Sequence, residues 1–127
     1  NSLKLIPNIT VARCDENYGF TFCMSDDDKR KITECHNKIM NESILLSENA
    51  EIDMLIIDEF NAAYNYGLVD KALADRLVLQ TPIALELIIT GRNPNSKFVE
   101  EADYVSEIKD VKHPFKNGIS ARKGIEY

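Results

Sequence analysis

Two stretches of this chain end an apolar run in side chains that can do chemistry. Leu55-Ile56-Ile57 runs into Asp58-Glu59, and Leu87-Ile88-Ile89 runs into Thr90-Gly91-Arg92. An acidic residue at the carboxyl end of a strand, after an apolar run, is the pattern by which nucleotide-binding folds hold Mg²⁺. An acidic turn by which a strand leaves the core would have the same sequence, so both readings stand at this point. In the second stretch a glycine allows close approach of backbone to a ligand, and the planar guanidinium suits bidentate phosphate contact. The plainer reading is a glycine turn followed by a solvated arginine. A third stretch, residues 14–24, carries Tyr18, Phe20 and Phe22 in a pattern that no helical or strand period buries together. It suits either a platform for a flat apolar ligand or a small cluster packed under its own loop.

The elements that must position these residues follow from periodicity. Residues 54–57 are too few for a buried helix and too uniformly apolar for a half-exposed strand, which predicts a parallel strand covered on both faces. Residues 85–90 predict a second. The β-branched run Ile9 to Arg13 and the segment Tyr104 to Ile108 predict two more short strands. Ser25, followed by Asp26, Asp27 and Asp28, predicts a capped helix reaching Glu48, with Ile32, Cys35, Ile39, Met40 and Ile44 on its core face. Val69, Ala72, Leu73 and Leu77 give a further helical face that Pro82 cannot continue. Asn93-Pro94 begins a short helix that turns Phe98, Val99 and Ala102 inward. The intervening Phe60 to Gly67, rich in Asn and Tyr, reads as a polar wall beside the strand end. Strands alternating with helices predict one α/β domain over residues 1–127, a parallel sheet wrapped on both sides.

Composition narrows the partners. A net charge of −6 with no block of Lys and Arg argues against a nucleic-acid backbone. No apolar run reaches the ~20 residues of a membrane helix. Cys14, Cys23 and Cys35 are odd in number and lack C-x-x-C spacing, so they read as the reduced thiols of a cytoplasmic protein. His36 and His113 lack a second ligand at metal spacing and read as structural or solvent-facing.

From Gly19 onward the chain closely resembles the P-loop-type ATP:corrinoid adenosyltransferases. The resemblance rests on Gly19-Phe20-Thr21-Phe22, Leu55-Ile56-Ile57-Asp58-Glu59, Tyr64-x-Tyr66, Ile88-Ile89-Thr90-Gly91-Arg92, Ala102-Asp103-x-Val105-Ser106-Glu107 and the terminal Gly124-Ile125-Glu126-Tyr127. It implies a RecA-like P-loop nucleoside-triphosphatase sheet flanked by helices. It also implies an activity: transfer of the 5′-deoxyadenosyl group of ATP to the reduced cobalt of a corrinoid, with release of triphosphate. By the same resemblance Glu59 and Asp58 attend Mg²⁺, Thr90, Gly91 and Arg92 contact phosphate, and Phe20 and Phe22 face the corrinoid. A reductase or flavodoxin-type electron donor and a homo-oligomer are the implied partners.

One departure matters. The five glycines, at 19, 67, 91, 118 and 124, include none in the G-x-x-x-x-G-K-[ST] frame. The chain therefore reads as the carboxyl-terminal part of such an enzyme, its fold incomplete at the N-terminus and inactive by itself. Sheet edges left open by the missing strand would favour self-association. A non-catalytic corrinoid- or partner-binding module, or a RecA-like ATPase of another family, are the alternatives.

Overall fold

The structure is a computed structural model that describes residues 2–16, 18–19 and 21–125, with the backbone alone of Phe22. Helix α1 (Asp26–Glu48) is followed by strand β1 (Met54–Ile57), helices α2 (Phe60–Asn65) and α3 (Lys71–Leu79), strand β2 (Glu86–Ile89) and helix α4 (Ser96–Glu101). The two strands pair in parallel, with Leu55 opposite Leu87 and Ile57 opposite Ile89. The α2–α3 segment supplies the crossover that parallel pairing requires.

Helix α1 starts where the sequence says it should. The Asp28 N–H donates to Ser25 Oγ at 3.2 Å, while Asp28 Oδ2 accepts from the Ser25 N–H at 3.0 Å, a reciprocal capping box. The Ser25 hydroxyl, then its backbone N–H, hold the Asp28 carboxyl below its ordinary value. A lowered carboxyl pKa contributes stability above the ordinary Asp range that is lost as pH falls through the lowered value. Acid titration followed at the Ser25 and Asp28 amide resonances should therefore unlock this turn below the ordinary Asp pKa. Asp28→Asn should abolish that transition, and its persistence would place the titrating group elsewhere.

The core lies on one face of the sheet. Met40 and Ile44 of α1, Phe60 and Tyr64 of α2, Val69, Ala74 and Leu77 around α3, and Phe98 of α4 form it, with Leu55, Ile57 and Ile89 packed against them. The alternate strand residues point away: Met54 is 53% and Ile56 59% exposed. The expectation of a strand covered on both faces, and of a sheet wrapped on both sides, thus fails among the described residues. A uniformly apolar run does not say which of its two faces is covered.

Other expectations change as well. Residues 9–13 and 104–108 form no strand, because β propensity without a neighbouring strand supplies no ladder, and Tyr104 and Ile108 are almost fully exposed. Residues 60–65 are no polar wall but a helix whose Phe60, Asn61 and Tyr64 are buried. In α3 the inward position belongs to Ala74 rather than Ala72, and in α4 to Phe98 without Val99 or Ala102. Helix α4 also starts later than expected, capped by Asn95, which leaves Pro94 outside it.

Cys14 and Cys35 are joined in a disulfide, their Cα atoms 6.1 Å apart, leaving Cys23 as an exposed free thiol. The reading of three reduced thiols is corrected. An odd count and the absence of C-x-x-C say nothing about a pair brought together by tertiary structure. His36, half-buried on α1, has its Nδ1 2.7 Å from the Leu68 carbonyl, the structural role expected of it. No helix among the described residues is long and apolar enough to cross a membrane.

Candidate functional site

Parallel pairing in register brings the two chemistry-bearing sequence ends to one edge of the sheet. Asp58 and Glu59 leave β1 where Thr90, Gly91 and Arg92 leave β2, since Ile57 and Ile89 are paired. Strand pairing continues one step further, with the Thr90 N–H donating to the Ile57 carbonyl at 3.1 Å. The Thr90 hydroxyl then ties the two ends together. It donates to Asp58 Oδ1 at 2.6 Å and accepts from the Glu59 N–H at 3.0 Å. The backbone turns sharply here, Glu59 taking the left-handed conformation at φ 53° as it leads into α2. Such a conformation is unfavourable for a residue with a Cβ, and the Thr90 bond to its N–H helps hold it.

The Glu59 carboxylate and the Arg92 guanidinium at this edge are free to meet a ligand, while Asp58 Oδ1 is held by Thr90. Asp58, Glu59 and Arg92 are exposed, and among the described residues nothing hydrogen-bonds or ion-pairs with the Glu59 carboxylate or the Arg92 guanidinium. The described residues hold no group of three or more His, Cys, Asp and Glu suited to a metal ion. The two adjacent carboxylates, Asp58 and Glu59, fit a different donor set. Mg²⁺ is commonly held by one or two carboxylates, with phosphate oxygens and water completing its shell. The edge is an open shelf, and a groove of about 440 Å³ lies elsewhere, between α1 and α3.

Gly91 has a role that its sequence did not reveal. Its φ of 130° is a glycine conformation, and a Cβ built there would lie 3.0 Å from Asn61 Cβ and 3.2 Å from Asn61 N. The close approach that this glycine permits is that of α2. Asn61, 4% exposed, donates its N–H to the Thr90 carbonyl at 3.4 Å, and its Oδ1 is buried with no donor among the described residues. One helical turn on, Asn65 Nδ2 donates to the Asn93 carbonyl at 2.9 Å. Periodicity could have found this pair, because Asn61 and Asn65 stand at i, i+4 and share a helix face.

A polar latch joining α2, α3 and α4 also went unseen. Lys97 Nζ on α4 lies 2.6 Å from Asp75 Oδ1 of α3 and donates to the Tyr64 hydroxyl of α2 at 2.6 Å. The Tyr64 hydroxyl in turn donates to Asp75 at 3.1 Å. Asp75, then Tyr64, raise the Lys97 pKa above the ordinary lysine value. Three short helices are thereby joined, α2 being the one that carries Asn61.

Of the aromatic loop, Phe20 lies outside the described residues. Phe22 falls in a 3-10 turn, Thr21–Cys23, with its side chain likewise outside them. The site that the structure brings together is therefore Asp58, Glu59, Thr90, Gly91 and Arg92, with Asn61 beneath.

Residues 1–127 match the family model described as ATP:corrinoid adenosyltransferase BtuR/CobO/CobP. The chain belongs to this family. Curated relatives named corrinoid adenosyltransferase include one from Sinorhizobium, 31% identical across 86% of this chain and 50% of the relative. Another, from Pseudomonas aeruginosa, is 33% identical across 86% of this chain and 53% of the relative. A third, from Escherichia coli K12, is 29% identical across 86% and 55%. The chain of this adenosyltransferase family thus spans about half the length of the curated relatives it matches.

Proposed function

We propose that the strand-end shelf is the triphosphate and metal side of a corrinoid adenosyltransferase centre. There the 5′-deoxyadenosyl group of ATP passes to the reduced cobalt of a corrinoid, and triphosphate leaves. The observation that carries the reading is the Thr90 hydroxyl bond to Asp58. It unites two motifs 32 residues apart around a carboxylate and a guanidinium that are unpaired among the described residues.

Roles follow from chemistry. Arg92 takes oxygens of the triphosphate and stabilises the charge that grows on it as the carbon–oxygen bond at ribose C5′ breaks. Glu59 and Asp58 would hold Mg²⁺, which supplies further neutralisation of that leaving group when bound. Thr90 fixes the Asp58 carboxylate, and so the distance between the acidic and basic sides of the shelf. Phe20 and Phe22 are assigned to the corrinoid face, where an apolar surface would exclude water from the cobalt substrate. The RecA-like sheet, an electron-donating reductase or flavodoxin-type partner, and homo-oligomerisation belong to the same proposal. So does the inactivity of residues 1–127 by themselves, because they contain no P-loop to cradle the phosphates.

The test is turnover by the gene product that carries these residues, assayed with ATP, Mg²⁺ and a chemically reduced corrinoid. Arg92→Ala should lower kcat/KM for ATP by about 10- to 100-fold, as expected for a lost charge-assisted hydrogen bond. Glu59→Gln should raise the Mg²⁺ concentration needed for half-maximal rate. Unchanged kinetics in both variants would remove the phosphate and metal roles from this edge.

A further inference from the structure

We infer that Asn61 and Asn65 are positioning residues, a pair on one face of α2 that sets the turn carrying Arg92. The inference rests on the reading of Arg92 as the phosphate contact. Residues 90–93 leave β2 as a segment without regular structure, bearing two left-handed or glycine-only conformations, Gly91 at φ 130° and Asn93 at φ 53°. Nothing intrinsic to such a turn fixes where an arginine in it points. What fixes it is α2. The Asn61 N–H reaches the Thr90 carbonyl, its Cβ and amide fill the space beside Gly91, and the Asn65 amide holds the Asn93 carbonyl. Thus each residue flanking Arg92 is held by an asparagine of one helix face: Gly91 by packing, Asn93 by a hydrogen bond.

The composition of the pair supports a role beyond packing. A buried amide oxygen with no donor among the described residues, as at Asn61 Oδ1, is a cost that an apolar side chain of similar size would remove. Retaining an asparagine at a position 4% exposed makes sense where the amide must meet a polar backbone turn and whatever polar ligand group settles on it. The latch of Lys97, Asp75 and Tyr64 ties α2 to α3 and α4, so the helix that bears the pair is itself anchored.

A double-mutant cycle with inorganic tripolyphosphate and Mg²⁺ as the probe tests this. Affinity is read from the Gly91 and Arg92 amide resonances of the gene product that carries these residues. Asn65→Ala and Asn61→Leu should each weaken binding about fivefold, the equivalent of one net hydrogen bond. Thermal stability should stay level in the first and hold or rise in the second, the opposite of a purely structural defect. In an Arg92→Ala background neither change should weaken binding further, because both act through Arg92. Equal losses in both backgrounds would overturn the inference. Amide hydrogen exchange without ligand tests the same role independently: faster exchange at Gly91 and Arg92 in the asparagine variants is expected, and unchanged exchange overturns the positioning role by itself. Tripolyphosphate binding by that gene product that is indifferent to Arg92→Ala would instead sink the phosphate reading of the shelf, leaving the exchange result to decide the positioning role.

Discussion

Phe98→Ala is expected to lower the unfolding free energy by about 3–5 kcal/mol, the range for emptying a buried aromatic site. The ring is 2% exposed and is the single buried side chain of α4. Its centroid lies 5.0 Å from that of Tyr64, edge-on, and 5.5 Å from that of Phe60. Each such pair adds about 0.5–1.5 kcal/mol beyond area burial. A helix of six residues cannot persist on propensity, so packing must hold it. Against a total of about 5–15 kcal/mol for a domain, the loss is a large fraction. It should show as a lowered urea midpoint by circular dichroism. Val99→Ala, on the same helix but 37% exposed, should cost less than about 1 kcal/mol. Similar midpoints for the two variants would mean that α4 is not held through Phe98. The functional consequence runs through Lys97, whose ammonium lies 5.2 Å from the Phe98 ring centroid and bonds the Tyr64 hydroxyl. Releasing α4 removes the Lys97 tie to α2 and should loosen the Arg92 turn that α2 touches.

The parts of this fold that sequence reasoning reached are those whose signal is local. Ser25 and Asp28 announce the start of α1 because a capping box is complete within four residues. Both strand ends are legible because an apolar run stops at polar or charged residues, and parallel pairing then makes Asp58 and Thr90 neighbours. What stayed hidden depends on partners distant in sequence. Tyr64 and Asn61 looked polar, yet the Tyr64 ring is buried while its hydroxyl reaches Lys97 and Asp75, and Asn61 fills the space beside Gly91. A side chain with an apolar body and a polar tip satisfies both demands at once. Residues 9–13 carry strand propensity, but a strand is a pairing, and no described neighbour supplies one. The disulfide from Cys14 to Cys35 is likewise a tertiary fact, spanning 21 residues. The membership of the family was legible for a further reason: its landmarks are spread along most of the chain, so their order adds to their chemistry.

Gly91→Ala is expected to cost about 2–6 kcal/mol, from two sources that a companion variant can separate. A residue with a Cβ held in a glycine-only region pays about 1–3 kcal/mol in backbone strain. The added methyl must also displace Asn61, whose Cβ and backbone nitrogen would lie 3.0 and 3.2 Å away. Overpacking of this kind costs about 1–3 kcal/mol more. Backbone cannot swing aside as a flexible side-chain end can, so relief must come from movement of α2 or of the turn. Gly67→Ala provides the comparison, because Gly67 sits at φ 67° with nothing within 4 Å of its missing Cβ. It should show only the backbone cost of the left-handed region, about 1–2 kcal/mol. A larger urea-midpoint shift for Gly91→Ala than for Gly67→Ala contains the steric part, together with any difference in backbone cost between φ 130° and φ 67°. Shifts of the Asn61, Thr90 and Arg92 amide resonances should accompany it, with those of α1 left in place. Equal midpoints would mean that α2 and the 90–93 turn yield freely to one another. The shelf would then not be preorganised, and the distance between Glu59 and Arg92 would be set by the ligand and not by the fold.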